Sequence, residues 1–331
     1  MVNKAELASL LHSLPAVEFC CAYGSALLPN KKPDKETMVD YILGVADPMQ
    51  WHAENLKMNK DHYVSLIARF GGANLITDVA DQIGVGVHFN PFVNWNDRMI
   101  KYGVVRMHDL VQDILNWDHL YLSGRLQKPV QIVSDNLDLE NVNSVNLRAA
   151  VSAALLLLPS EFTEEDLYAK ICSLSYTGDL RMLFAEDRNK VKTIVQGQLS
   201  LFQTMYKPFL DDYTSKGLLK FPISADFQGK ITQVDDLSAT RSLVSSLPST
   251  VRSHMGMKLG EKRNLNKSGR VIREVVIDSR QEAAECMRKT LRRMVMVSSA
   301  RQAVSGLFAT GGVNAARYLT KKMVKAWKSW R

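Results

Sequence analysis

Residues 20–45 read CCAYGSALLPNKKPDKETMVDYILGV, and this stretch decides how the fold is read. An apolar run breaks at Tyr23-Gly24-Ser25, a charged loop spans 29–36, and a second apolar run at 38–45 carries Asp40 among Val39, Tyr41, Ile42 and Leu43. The composition predicts strands over 17–23 and 38–45, joined through a turn or short helix at Gly24-Ser25. A carboxylate buried on a strand is costly without a partner. Glycine lets the backbone turn tightly and approach a ligand closely. The Ser25 hydroxyl and the N–H groups after it suit a phosphate. Asp40 suits Mg2+, which takes carboxylate and substrate phosphate oxygens together. The plainer reading of Asp40 is a strand-end aspartate satisfied by backbone N–H groups, and that of Gly24-Ser25 an ordinary turn.

Strand, Gly-Ser, spacer and strand aspartate together resemble the polymerase-β-like nucleotidyltransferases, whose pattern continues Asp-x-Asp/Glu. Here the position two after Asp40 is Ile42. A second metal ligand must come from elsewhere, and Asp47, Asp97 and Asp109 are all open.

The composition is that of a soluble globular chain: 331 residues, 46% hydrophobic and 23% charged, enough for one large domain or two ordinary ones. The longest apolar stretch, Ala149–Leu158, carries Ser152 and stops at Pro159. It is too short to span a bilayer and reads as a buried helix. The net charge of +8 is uneven: residues 251–331 hold 19 Lys and Arg against 5 Asp and Glu, a local +14 that leaves the rest at −6. The basic quarter points to an anionic surface, lipid or nucleic acid. Cys20, Cys21, Cys172 and Cys286 lack zinc or redox spacing, and the adjacent pair reads as small core residues. The N-terminus is neither a signal peptide nor a clear transit peptide.

Helical spacing is expected over 4–13, over 48–70 with Gly71-Gly72 closing it, over 110–122, throughout 146–209 with a capped start at Thr163, and over 280–331. Strands are expected at 84–90 and 99–107. Residues 123–133 read as a loop feeding another strand, and 211–270 as loops.

Over 313–331, VNAARYLTKKMVKAWKSWR, the residues Ala316, Leu319, Met323, Trp327 and Trp330 form one apolar stripe. Arg317, Lys321, Lys322, Lys325 and Lys328 fill other faces. This suits a helix lying in an anionic bilayer interface. The plainer reading is a helix docked on its own domain with a solvated basic face.

The wider text is more specific. YGSALL (23–28), MVDYILGVADPMQWHAENLKMNKDHY (38–63), GVGVHFNPF (84–92), IKYGVV (100–105), YLSGRLQKPV (121–130) and LLPSEFTEEDLYAKICSLSYTGDLRM (157–182) closely resemble the mitochondrial phosphatidate cytidylyltransferase family. The resemblance covers about 17–200. It implies an α+β chain with three parts: a polymerase-β-like nucleotidyltransferase domain with a mixed sheet (1–140), a helical winged-helix-like domain (141–240), and a basic region ending in a membrane-surface helix (241–331). It implies transfer of cytidylate from CTP to phosphatidic acid, giving CDP-diacylglycerol for cardiolipin and phosphatidylglycerol synthesis. It also implies Mg2+ and a peripheral position on the matrix face of the mitochondrial inner membrane.

On this reading Asp40 holds the metal, and Tyr23, Gly24 and Ser25 hold the triphosphate. Lys101 neutralises phosphate, or is a snorkelling edge-strand lysine. Arg125 and Lys128, in a Gly- and Pro-bounded loop, bind phosphate or are merely solvated. His52, Asn55 and Lys57 share a helix; His52 and Asn55 face together, and His52 contacts base or phosphate or simply packs. His88 and Trp95 read as core or turn, and Asp179 and Arg181 as structural. No nucleic-acid partner is expected, because the tail's tryptophans cluster at one end rather than along a groove. The competing readings are a nucleotidyltransferase acting on nucleic acid and a non-enzymatic membrane assembly factor.

Overall fold

The computed structural model describes residues 3–27, 38–63, 70–179, 189–222, 229–265 and 271–310. The first helix, α1 (Lys4–Ser9), is capped by Asn3, whose side chain accepts from the Ala5 N–H, and continues as a 3-10 turn over Leu10–Ser13. Strands β1 (Phe19–Tyr23) and β2 (Val39–Val45) come from the two apolar runs around the Gly24-Ser25 break. Helix α2 (Pro48–Met58) starts on Asp47, which accepts from the N–H groups of Met49 and Gln50, with proline at its first position. It ends at Met58, short of the expected Phe70, and a 3-10 turn over Lys60–His62 follows. Phe70 is helical and Gly71 is a turn directly after it, as expected; a new helix, α3 (Gly72–Asp78), starts at once and runs on into a π turn at Val79–Ile83.

Strands β3 (Val87–Trp95) and β4 (Arg98–Arg106) form a hairpin. Its turn, Asn96-Asp97, has φ of 50° and 56°, values that Asn and Asp tolerate and that match the twist of a tight hairpin. Helix α4 (Met107–Asn116) starts earlier than expected and ends where Trp117 turns left-handed at φ 56°. Residues 123–133 are not simply a loop: they contain α5 (Leu122–Leu126) and lead into β5 (Gln131–Asp135).

The remaining elements in chain order are α6 (Leu139–Leu157), β6 (Glu161–Phe162), α7 (Glu164–Leu174), α8 (Lys190–Gly197), α9 (Leu199–Ser215), β7 (Leu219–Lys220), β8 (Ile231–Gln233), α10 (Leu237–Ser245), α11 (Ser249–Leu259), β9 (Glu261–Leu265), β10 (Val271–Val275) and α12 (Arg280–Thr310). The expected start at Thr163 is a full capping box with Asp166. The loop reading of 211–270 is corrected by β7, β8, β9, α10 and α11. Asp236 caps α10 by accepting from the Ala239 N–H, and Leu243, Leu247, Val251 and Met255 are buried. Their four-residue spacing carries the helices through Ser-rich, polar text.

The main sheet has the order β3-β4-β2-β1-β5, with β2 and β4 parallel and the other pairs antiparallel. It is therefore a mixed sheet in an α+β chain, as expected. Period-two alternation sends Cys20 and Cys21 to opposite faces. Cys20, Val39, Tyr41 and Leu43 pack under α1 and α2 with Leu7, Leu10 and Trp51. Phe19, Cys21, Ile42 and Val105 pack with Leu110 and Ile114 of α4 and Leu122 and Leu126 of α5.

A second core runs from Trp117 and Leu120 through α6 and α7 to Met287 and Val295 of α12. The Ala149–Leu156 segment is buried in it, as expected for a core helix. Farther along α12, the Arg301 Nε donates to the Ile83 carbonyl (3.1 Å) and the Gln302 Nε2 to that of Val87 (3.4 Å), tying the helix back to the sheet. Among the described residues no helix is long and apolar enough to cross a membrane. The basic segment with Arg317, Lys321, Lys322, Lys325, Trp327, Lys328 and Trp330 lies outside the described residues.

Candidate functional site

Strand register puts three of the expected residues in one row. Tyr23 pairs with Asp40 across β1 and β2, and Asp40 pairs with Lys101 across β2 and β4. Directly opposed residues project to the same face of a sheet. This face also carries Cys21, Ile42 and Phe89 and is covered by α4 and α5. The Asp40 Oδ1 lies 3.9 Å from the Lys101 Nζ, with the two side chains 26% and 25% exposed. Both therefore reach solvent, beside a half-buried Tyr23. Strand β4 lies between β3 and β2, so the edge-strand reading of Lys101 is corrected. Its ammonium sits 4.1 Å from the centroid of the Phe89 ring.

Gly24 follows at φ 111°, a conformation open to glycine and strained for other residues. A Cβ there would stand 3.1 Å from the Asp40 Oδ2, so the missing side chain lets the turn lie against the carboxylate. The Leu27 N–H donates to the Gly24 carbonyl (3.1 Å), closing a 3-10 turn over Ser25–Leu27. The Ser25 side chain lies outside what the structure describes. Burial, with Asp40 and Tyr121 nearby, pushes the Tyr23 phenol well above its usual range and keeps it protonated. The Arg125 guanidinium lies over the Tyr23 ring, 4.8 Å from its centroid.

Arg125 reaches this position because α5 is tightly anchored. Asp113 of α4 is buried and accepts from the backbone N–H groups of His119, Leu120, Leu122 and Ser123 and from the Ser123 hydroxyl, at 2.7–3.0 Å. Asn146 of α6 accepts from the Trp117 Nε1 (2.7 Å) and the Gln127 Nε2 (2.9 Å) and donates to the Ser123 carbonyl (3.0 Å).

Lys128 corrects the expectation of a solvated loop. It is 2% exposed, donates to the Gly124 carbonyl and to the Ser175 hydroxyl (2.7 Å), and lies 4.9 Å from the Tyr176 ring centroid. Its pKa is lowered to about 7, chiefly by desolvation, with Cys172 opposing and Arg125 and Lys190 adding to the shift. Asp179 is buried, while Arg181 lies outside the described residues.

His52 and Asn55 do face together, but on the other side of the sheet. Both are buried under α2. The His52 Nδ1 pairs with the Tyr63 hydroxyl (2.8 Å), and the Asn55 Nδ2 donates to the hydroxyls of Tyr63 (3.0 Å) and Tyr102 (2.9 Å). The His62 Nδ1 pairs with the Tyr102 hydroxyl (2.9 Å), and the His88 Nε2 with the Asn90 Oδ1 (3.1 Å). Tyr102 and Lys101 are successive on β4, so they point to opposite faces. Lys57, on the same helix, is exposed. His88 is core, as expected, and Trp95 ends β3.

Asp47 and Asp109 lie beyond the far ends of β2 and β4, about 17 Å or more of strand away from Asp40. Asp47 is engaged as a helix cap, and Asp109 accepts from the Arg106 Nη1 (2.6 Å). Neither joins Asp40. Asp97 sits in the β3–β4 turn, at the same end of the sheet as Asp40.

Among the described residues no group of three or more His, Cys, Asp or Glu side chains stands together as a metal site. The donor set at Asp40 nonetheless fits Mg2+, a hard ion commonly held by one or two carboxylates with substrate phosphates and water completing its shell. One part-exposed carboxylate, one ammonium, one guanidinium and a glycine turn can together hold a polyphosphate with its counterion.

Sequence reasoning passed over Phe89 and Asp113. Asp113 carries the same signal that exposed Asp40, an acid in an apolar run. Phe89 carries none, since a phenylalanine in a strand is the default core residue.

Comparison with known proteins adds what geometry cannot. The family described as "Phosphatidate cytidylyltransferase, mitochondrial" matches residues 7–325. The mouse protein of that name is 34% identical over 97% of this chain and 94% of its own length. The zebrafish protein is 33% identical over 94% and 90%, and the Caenorhabditis elegans protein 31% over 99% and 100%. All three likenesses run through both cores and across the row at Tyr23, Asp40 and Lys101, and on that extent the chain belongs to the mitochondrial phosphatidate cytidylyltransferase family.

Proposed function

We propose that this chain transfers the cytidylyl group of CTP to phosphatidic acid, giving CDP-diacylglycerol and pyrophosphate, and so feeds cardiolipin and phosphatidylglycerol synthesis. The observation that carries the reading is the match along nearly the whole chain to enzymes of that name. A phosphate oxygen of phosphatidic acid bonds to the α-phosphorus of CTP, and the bond from that phosphorus to the bridging oxygen breaks as pyrophosphate leaves. Positioning and charge neutralisation dominate such a step. Phosphatidate is already anionic, so no strong general base is needed.

Asp40 is the residue that would hold Mg2+, and the ion would neutralise triphosphate charge there. The Gly24 turn and Ser25 receive the triphosphate, Tyr23 walls it, and Lys101 and Arg125 meet its oxygens. His52 and Asn55 back the sheet from behind, and Lys128 fixes the α5 loop; this assignment follows from their burial. The sheet unit is read as a polymerase-β-like nucleotidyltransferase domain over 1–140, followed by a winged-helix-like domain over 141–240 and a basic region over 241–331. The parallel β2–β4 pair with Asp40 on it supports the first of these units; the second core, from Trp117 to Val295, is shared by all three. Residues 313–331, with Arg317, Lys321, Lys322, Lys325, Trp327, Lys328 and Trp330, attach the protein peripherally to the matrix face of the mitochondrial inner membrane. Their basic, tryptophan-bearing pattern and a substrate that resides in a bilayer support this.

The test is incubation of the purified full chain with phosphatidic acid vesicles, labelled CTP and Mg2+. Labelled lipid and released pyrophosphate are expected in equal amounts. Folded protein that labels no lipid overturns the reading.

A further inference from the structure

We propose that Phe89 is the positioning residue for Lys101: its ring face holds the ammonium ready for phosphate without cancelling the charge. The proposal rests on the reading of Lys101 as a phosphate-neutralising group.

Two contacts fix the Lys101 head, the Asp40 Oδ1 at 3.9 Å and the Phe89 ring centroid at 4.1 Å. They differ in kind. A carboxylate attracts the ammonium and offsets its charge, and Asp40 is itself the residue that would hold a cation. A ring face attracts through its quadrupole and leaves the positive charge whole. A free lysine carries much rotamer entropy, so a preset head spares that cost when the phosphate arrives.

The fold makes room for the ring deliberately. Phe89 on β3 pairs with Gly103 on β4, two residues along from Lys101 on the same face. A Cβ at 103 would lie 2.5 Å from the Phe89 Cε1 and 2.9 Å from its Cδ1, so any other residue there displaces the ring. Phe89 is 8% exposed, and the Tyr121 ring meets it nearly edge-on with centroids 6.5 Å apart. Its neighbours His88 and Asn90 point to the opposite face and are tied to each other (3.1 Å), which pins the strand around it.

Fluorination tests this at constant shape. Mono-, di- and trifluorophenylalanine are installed at position 89 of the full chain, and steady-state rates are measured with phosphatidic acid vesicles. Thermal midpoints should stay level while kcat/KM for CTP falls stepwise, about threefold to tenfold by the trifluoro ring. In the unmodified protein, 13C-labelled lysine spectra should show a ring-current-shifted εCH2 signal that vanishes in Lys101→Met and moves to its ordinary position in Phe89→Leu. An unshifted signal, or a flat rate series, overturns the positioning role. If the series is flat while Lys101→Met is crippled, the role of Lys101 stands and only the part given to Phe89 fails. If Lys101→Met keeps full activity, both fall.

Discussion

Asp40 and Lys101 face each other across the parallel strands β2 and β4 at 3.9 Å, close enough to attract and too far to hydrogen bond. With both side chains about a quarter exposed, the pair contributes at most about 1 kcal/mol to stability. Its value lies in what can come between the two charges, a polyphosphate with its metal. Asp40→Asn keeps shape and removes charge. The expected outcome is a thermal midpoint within about 3 °C of wild type and a loss of cytidylyl transfer of at least about 100-fold. Paired calorimetry and lipid-labelling assays check it, and full activity in a folded Asp40→Asn protein counts against the site.

Gly24→Ala acts on the same carboxylate from the other strand. The new methyl group must adopt φ near 111° and stand about 3.1 Å from the Asp40 Oδ2. Strain of this kind costs about 1–3 kcal/mol, relieved in part if the turn moves away from Asp40. The variant should lose stability and also raise KM for CTP. Denaturant unfolding and CTP titration measure the two effects separately. A stable variant with unchanged KM would show that the turn need not lie against the carboxylate.

Lys128 gives a pH signature. In the folded chain its pKa is about 7, while an unfolded lysine titrates near 10.4. Between these values the unfolded chain holds a proton that the folded chain has released. Unfolding therefore takes up a proton, and stability rises with pH. From pH 7 to pH 9 the gain should be about 2–3 kcal/mol relative to Lys128→Met, which cannot titrate. Urea unfolding of the two proteins at pH 7, 8 and 9 isolates the difference. Parallel stability curves would mean that the ammonium is solvated.

Tyr23-Gly24-Ser25 and Asp40 were legible because each breaks a local rule: a glycine interrupts an apolar run, and an acid sits inside one. Lys101 was legible for the same reason. Short-range text cannot show which face of the sheet a helix covers. His52 and Asn55 therefore read as site residues, although α2 packs on the side away from Asp40. Lys128 misled in the opposite way. Gly124 and Pro129 signal a loop, yet the Asp113 carboxylate gathers the N–H groups at the start of α5 from up to ten residues away, and Ser175 receives the Lys128 head from 47 residues away. In 211–270 the apolar residues are few but spaced at helical intervals. Their burial against α6 and α12 outweighs the weak local propensity.

The polar cluster behind the sheet predicts acid lability without loss of substrate affinity. His88 is buried and its pKa is held down at about 4; burial and the neighbouring His88 hold His52 far below its ordinary value, and burial lowers His62. Among the described residues the groups facing His88 are Asn90, His52 and the stacked ring of Tyr63, and none of these carries a negative charge that would favour protonation. As pH falls below about 6.5 the unfolded histidines protonate while His88 stays neutral, so the unfolded state binds more protons and stability falls. His88 alone should account for about 3 kcal/mol between pH 6.5 and pH 4. His88→Gln, which does not titrate, should flatten the stability–pH slope by about one proton in that window. Because the cluster and the Asp40–Lys101 row occupy opposite faces, KM for CTP at pH 7.5 should stay within about twofold of wild type. An unchanged acid slope in His88→Gln would mean that His88 is not held neutral by the fold, and a KM raised tenfold would place this cluster in contact with the substrate rather than behind it.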